Sequence, residues 1–300
     1  MTPIEQLKNM ALSFGAEVLE NEPMSRHTTF KIGGPADLFI TASGENTIKE
    51  IAQFCNENDI PLFVIGNGSN LLVSDKGIRG VVLRLGRGKI ICDGEKIICS
   101  AGVPLRSLCE TAKDNCLTGL EFAYGIPGSV GGAVYMNAGA YGGEMKDVVT
   151  ASTHIQNGKI GKFENTELDF GYRKSAYTGK DYIILSAEFK LSRGDKKEIE
   201  AKMSELMNRR RTKQPLEYPS AGSVFKRPVG YYAGTLIESC GLKGYRVGGA
   251  VVSEKHAGFI VNTGGATCED VLKLIEEIQN EVLKKAGVML ECEIKTVGEK

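Results

Sequence analysis

Seven of the nineteen residues in the stretch 125–143 are glycine, and nothing else in the chain restricts its folding so tightly. Each glycine in a plain helix costs about 1 kcal/mol relative to alanine, so the stretch cannot be a regular helix throughout. Such a run is tolerable where bare backbone wraps a large ligand, and its small residues leave room for a flat ring system and a diphosphate. A second glycine loop, Gly66-Asn67-Gly68-Ser69-Asn70-Leu71-Leu72, follows the apolar run at 61–65. Successive backbone N–H groups in a glycine-permitted loop form a concave anion site, and hydroxyl and amide side chains add donors. Leu71 stands where a Rossmann fingerprint needs its third glycine, and the loop lacks the lysine of a P-loop. Alone, this shorter loop reads equally well as a tight surface turn. Together the two loops point to a bound cofactor.

Composition excludes several other classes. The chain has 300 residues, enough for two or three units, with 37 Lys and Arg balanced by 37 Asp and Glu. That balance argues against a sequence-independent nucleic-acid binder, which needs a basic excess. No apolar run approaches the roughly 20 residues that span a bilayer, so no membrane role is expected and the cytoplasm is the expected location. The eight cysteines and three histidines match no zinc template. Reduced, mostly buried thiols and no metal are the expectation.

Periodicity places helices at 47–58, 104–115, 196–211, around 234–240 and at 268–286, the last with a Thr267/Asp270 capping box. Strands are expected at 36–41, 61–65, 80–85, 181–191, near 249–252 and 258–262, and at 289–297. Hairpins are expected at Asp93-Gly94 and Asn157-Gly158.

The two glycine loops resemble the FAD-binding elements of the vanillyl-alcohol-oxidase type of flavoprotein. With Thr28-Thr29-Phe30-Lys31-Ile32-Gly33-Gly34-Pro35-Ala36 they resemble, in detail, the UDP-N-acetylenolpyruvoylglucosamine reductases (UDP-N-acetylmuramate dehydrogenases). Three further segments fit in the family's order: Phe170-Gly171-Tyr172-Arg173-Lys174-Ser175, Ser220-Ala221-Gly222-Ser223-Val224-Phe225 and Leu290-Glu291-Cys292-Glu293-Ile294. By this resemblance Arg173, Ser223 and Glu293 are catalytic. Lys213, Arg227 and His256 contact substrate, although some relatives carry other residues at the last two positions. FAD, non-covalent, falls to Gly66, Asn67, Gly68, Ser69, Asn70 and Leu71. The longer stretch adds Gly125, Pro127, Gly128, Ser129, Gly131, Gly132, Asn137, Gly139 and Ala140.

The implied fold is α+β, with a two-subdomain FAD-binding region and a C-terminal α+β substrate-binding domain. Residues 1–86, joined by a returning strand at 289–300, form the first subdomain and residues 87–195 the second. Residues 196–288 form the substrate domain. The implied reaction is NADPH-dependent, FAD-mediated reduction of UDP-N-acetylglucosamine enolpyruvate to UDP-N-acetylmuramate in peptidoglycan precursor synthesis, with no obligate protein partner. Hydride passes from flavin N5 to C3, and Ser223 gives a proton to C2. The charge that develops at the carboxylate end needs a fixed cation, and the planar fork of Arg173 suits it. Glu293 would polarise the intermediate. Singly, Arg173 could be a surface ion-pair partner, Ser223 a turn residue and His256 a structural histidine. Either Glu291 or Glu293 could face solvent, since they alternate on a strand. Only 49 residues separate Arg173 from Ser223, too few for the tyrosine-bearing insertion of some family members. The chain thus resembles the shorter, second type, and Tyr177 is not assigned as a lid. An FAD oxidoreductase acting on a small alcohol or hydroxy acid is the alternative.

Overall fold

The structure, a computed structural model, describes residues 1–299. The last residue of the expected returning segment 289–300 therefore lies outside the described residues. The chain forms two compact units. The first comprises Met1–Glu20, Leu38–Asn67 and Gly80–Arg209; the second comprises Asn21–Asp37, Gly68–Arg79 and Arg210–Lys300.

The first unit is built on two sheets. One has the order Glu17–Pro23, Pro35–Ala42, Ile78–Leu85, Leu62–Ile65. The helices Pro3–Ser13 and Glu45–Glu57 bury Leu7, Ala11, Ile48 and Ile51 in one apolar cluster with Leu38, Ile40, Val81 and Leu83 of its strands. Apolar residues at i, i+3 and i+4 give each helix one such face, and burying it supplies most of the helix's stability. The other sheet is antiparallel throughout, in the order Lys159–Glu164, Val149–Gln156, Ile183–Lys190, Lys96–Ser100, Ile90–Asp93. Its Gln156↔Lys159 pair closes on Asn157 and Gly158, both left-handed at φ 49° and 71°, the two-residue hairpin turn expected of Asn-Gly.

The second unit packs the helices Ala233–Ser239 and Cys268–Ala286 with the small sheet Arg246–Val247, Ala250–Val252, Ile260–Asn262. The long helix starts on its expected box, where Thr267 Oγ1 accepts from Asp270 N at 3.0 Å and Asp270 Oδ2 from Thr267 N at 3.1 Å. A second cap was not legible in the sequence. The Asp75 carboxylate accepts from Cys268 N at 2.8 Å and from Glu269 N at 3.1 Å.

The helix Lys196–Lys213 packs Ile199 and Met203 into the first unit's core, and the division between the units falls between Arg209 and Arg210. One expectation needs adjustment. The strand expected at 289–297 is regular only at Lys295–Val297, which pairs in parallel with Leu71–Val73. Before it, the chain makes one bridge, Cys292 to Phe225, to the segment carrying Ser223 rather than a ladder. Among the described residues no helix is long and apolar enough to cross a membrane. The same residues hold no cluster of three or more His, Cys, Asp or Glu that could bind a metal.

Candidate active site

In the first unit, the two glycine loops meet. Asn67 Nδ2 donates to the Pro127 carbonyl at 3.2 Å, and a Cβ at Gly66 would lie 2.4 Å from Ser129 Oγ. Only glycine allows that approach. Buried Ser129 caps the short helix Val130–Met136, its hydroxyl accepting from Gly132 N at 3.3 Å. That hydroxyl keeps its own proton to donate.

Several glycines are required by the protein's own packing. A Cβ at Gly131 would meet Ala101 Cβ at 2.8 Å, one at Gly139 the Glu144 side chain at 2.7 Å, and one at Gly143 the Phe122 ring at 2.6 Å. Gly132 is different: it is exposed, with only Ser129 Oγ near the place of a Cβ. Asn137 is held by the protein's own groups. Its side chain is fully buried, donating to Glu144 Oε2 at 2.8 Å and Gly171 O at 3.0 Å and accepting from Lys146 N at 2.9 Å. Arg173 lies in the same unit, in the left-handed region at φ 56°, with its guanidinium 5.1 Å from the Tyr172 ring centre. Tyr177 is fully buried, its hydroxyl donating to Ser152 O at 3.3 Å, and burial raises its pKa to about 12. It cannot serve as a surface lid.

In the second unit, three segments bring the remaining candidates together. Val224 N donates to Gly258 O at 2.9 Å on one side, and Glu293 N donates to Val224 O at 2.7 Å on the other. Ser223 bridges Phe259, and Phe225 bridges Cys292. Asn70 of the shorter glycine loop adds a bond from its Nδ2 to Glu293 O at 3.2 Å. Ser223 and Glu293 are therefore held by a common backbone scaffold that also touches the loop. Gly68 completes this arrangement: it is left-handed at φ 61°, and a Cβ there would sit 2.2 Å from His27 O.

The two glutamates of the last segment differ in setting. Glu291 is paired with Lys226 at the surface, whereas Glu293 is partly buried. His256 lies beside Ser223, since a Cβ on Gly258 would be 3.0 Å from His256 Cε1 and 3.6 Å from Ser223 Oγ. Gly258 N donates to His256 Nδ1 at 3.1 Å, which leaves the imidazole proton on Nε2. Burial lowers the His256 pKa, in keeping with the neutral ring that this bond requires. Arg227 is exposed and stacks 4.0 Å from the Tyr232 ring centre. Lys213, the last residue of its helix, is exposed.

Residues 214–297 match the family pattern described as UDP-N-acetylenolpyruvoylglucosamine reductase, C-terminal domain, and residues 36–160 match an FAD binding domain. The UDP-N-acetylenolpyruvoylglucosamine reductase of Caldanaerobacter subterraneus subsp. tengcongensis is 55% identical over 282 residues, 93% of each chain. The chain belongs to the UDP-N-acetylenolpyruvoylglucosamine reductase family. A reductase from Clostridium botulinum is 50% identical over 99% of both chains. The crystal structure of the Thermus caldophilus reductase superposes with a TM-score of 0.80 at 38% identity, over 94% of this chain and 98% of that one.

The donor set suits the FAD of this reductase family. Gly66, Asn67 and residues 125–132 offer amide and hydroxyl donors and bare backbone at Gly132, with no acidic side chain to repel a diphosphate. Sequence reasoning left Thr29 without a role. Its hydroxyl donates to Ser220 O at 2.7 Å, tying the Thr28–Ala36 motif to the serine segment. The quoted motif was the only signal for it.

Proposed function

We propose that this chain reduces the enolpyruvyl double bond of UDP-N-acetylenolpyruvoylglucosamine, with NADPH as electron donor, to complete UDP-N-acetylmuramate for peptidoglycan. Family membership makes it an FAD-containing oxidoreductase acting on a nucleotide sugar. The observation that carries the mechanism is the scaffold that holds Ser223 and Glu293 on adjoining segments, with Asn70 bonded to the second. FAD, when bound, supplies hydride to C3 of the enolpyruvyl group. Gly66, Asn67, Gly68, Ser69, Asn70 and Leu71 of the shorter loop would hold it, with Ser129 and Gly132 of the longer one.

The residues of the chain do the rest. Arg173 neutralises charge developing on the substrate carboxylate, a task suited to a planar guanidinium whose position is fixed in advance. Ser223 delivers a proton to C2, which sets the configuration there. A serine is a weak acid, so its carrier must be rigid, and the bridge to Phe259 supplies that rigidity. Glu293 polarises the enolate. Neutral His256, with its proton on Nε2, donates to the substrate beside Ser223. Arg227 and Lys213 offer cations to the diphosphate.

We infer the vanillyl-alcohol-oxidase type of FAD region. Its subdomains are 1–86, joined by the returning segment, and 87–195, ahead of a substrate domain at 196–288. The reaction belongs in the cytoplasm, where the eight free cysteines stay reduced, and needs no protein partner.

Isotope placement tests the reading. Turnover in deuterium oxide should place deuterium at C2, and also at C3 to the extent that the reduced flavin's N5–H exchanges with solvent before transfer. A product carrying protium at C2, or no product from this substrate, would overturn it.

A further inference from the structure

Arg173 is held in an unfavourable conformation by a clasp. Gly171 and Lys174 close a four-residue turn through two bonds, Gly171 N to Lys174 O at 3.0 Å and Lys174 N to Gly171 O at 3.3 Å. Arg173 occupies its third position in the left-handed region, which a residue with a Cβ adopts only when its surroundings impose it. The Gly171 carbonyl points at Asn137, which donates to it at 3.0 Å. Two residues earlier, the Tyr135 carbonyl accepts from the hydroxyls of Ser175 at 2.8 Å and Thr178 at 3.4 Å. The end of the helix Val130–Met136 is thus fastened to the turn on both sides of Arg173, whose Nη2 lies 3.5 Å from Gly139 O.

The Asn137 amide permits one orientation. Glu144 and Gly171 each need a donor and Lys146 N needs an acceptor, so both Nδ2 hydrogens and Oδ1 are engaged. We propose that Asn137, oriented by Glu144, is a positioning residue for Arg173, setting where the guanidinium meets the substrate carboxylate rather than binding FAD through its side chain. This rests on the reading of Arg173 given above.

Asn137 is itself left-handed, at φ 42°, as the helix C-cap. Asn137→Gly therefore removes the clasp while keeping the backbone conformation, which glycine favours. In the FAD-loaded full chain, this variant should keep its flavin, and NADPH should reduce it at close to the parent rate. Reoxidation by the enolpyruvyl substrate should slow by about 10²-fold, the order expected for a misplaced catalytic group. Trypsin should cleave after Arg173 and Lys174 faster, with or without FAD. Combined with Arg173→Ala, Asn137→Gly should slow reoxidation no further.

Flavin loss, or slowing of both half-reactions alike, would show that Asn137 serves the cofactor and overturn the inference. So would multiplied effects in the double variant. If Arg173→Ala slows reoxidation and Asn137→Gly does not, the positioning role fails while the reading of Arg173 stands. If Arg173→Ala changes nothing, that reading fails, and the inference with it.

Discussion

Gly66 has no room for a methyl group, and the structure specifies the cost of adding one. In Gly66→Ala the new Cβ would lie 2.4 Å from Ser129 Oγ and 3.5 Å from Ser129 Cβ. The first separation is impossible; the second is ordinary contact. Gly66 is outside the left-handed region, so backbone strain adds nothing. The hydroxyl must therefore rotate away, breaking its 3.3 Å bond from Gly132 N and uncapping the helix Val130–Met136. Loss of a serine cap costs about 1 kcal/mol, and residual crowding brings the total to about 1–2 kcal/mol. In a Ser129→Ala background the cap is already gone and no hydroxyl stands in the way, so Gly66→Ala should be close to neutral. The double variant should then be no less stable than Ser129→Ala, a coupling of about 1–2 kcal/mol in the double-mutant cycle. Urea unfolding of the four proteins measures it, and flavin content should fall in each variant, because the affected hydroxyl lies among the proposed FAD donors. An equal loss of stability from Gly66→Ala in both backgrounds would refute the steric reasoning.

Asp75→Ala should cost about 1–2 kcal/mol in unfolding free energy, because it strips two acceptors and a favourable charge from the start of the helix Cys268–Ala286. Asp270 titrates below the usual aspartate range, chiefly because the Thr267 backbone N–H binds its carboxylate. Its contribution to stability is therefore complete above the ordinary value of about 3.9 and is lost as pH falls through the depressed one. The stability gap between the parent and Asp270→Asn should close on acidification, and a gap that widens would contradict this. Cys55 and Cys99 are buried, with their pKa values raised to about 12. Alkylating reagent at mildly alkaline pH should leave both intact until the protein unfolds, as peptide mapping would show. Lys226→Ala should change stability by less than about 1 kcal/mol and leave turnover intact, since its pair with Glu291 is at the surface. Glu293→Gln should lose turnover, and equal effects of the two would undo the assignment of Glu293.

Local patterns were legible in the sequence and distant pairings were not. The helix Cys268–Ala286 and its Thr267 box could be read directly, because a capping box is a three-residue signal. The Asn157-Gly158 hairpin was equally local. The strand Glu17–Pro23 went unread because its charges and Asn21 hide any alternation. Residues 290–294 alternate as a strand should, yet they make one bridge rather than a ladder, since their partner is a loop some 65 positions away. The same distance hid Lys226, whose pairing separates Glu291 from Glu293. Asn137 read as part of a cofactor loop because its company is glycine; its partner Gly171 lies 34 residues further on. Family resemblance supplied the three candidate catalytic residues. Physics on the sequence alone supplied only the two glycine loops.

The central claim is that this scaffold passes reducing equivalents from NADPH through FAD to the enolpyruvyl group, with Ser223 as proton donor. Stopped-flow absorbance of the visible flavin band tests it most directly, with NADPH mixed first and UDP-N-acetylenolpyruvoylglucosamine second, in the absence of oxygen. The account predicts bleaching, then rapid recovery on adding the sugar nucleotide. In Ser223→Ala, bleaching should be unchanged and recovery slower by about 10²–10⁴-fold, the usual contribution of general acid catalysis. A flavin that bleaches and never recovers with this substrate would contradict the assigned reaction, and full-speed recovery in Ser223→Ala would contradict the assigned proton donor.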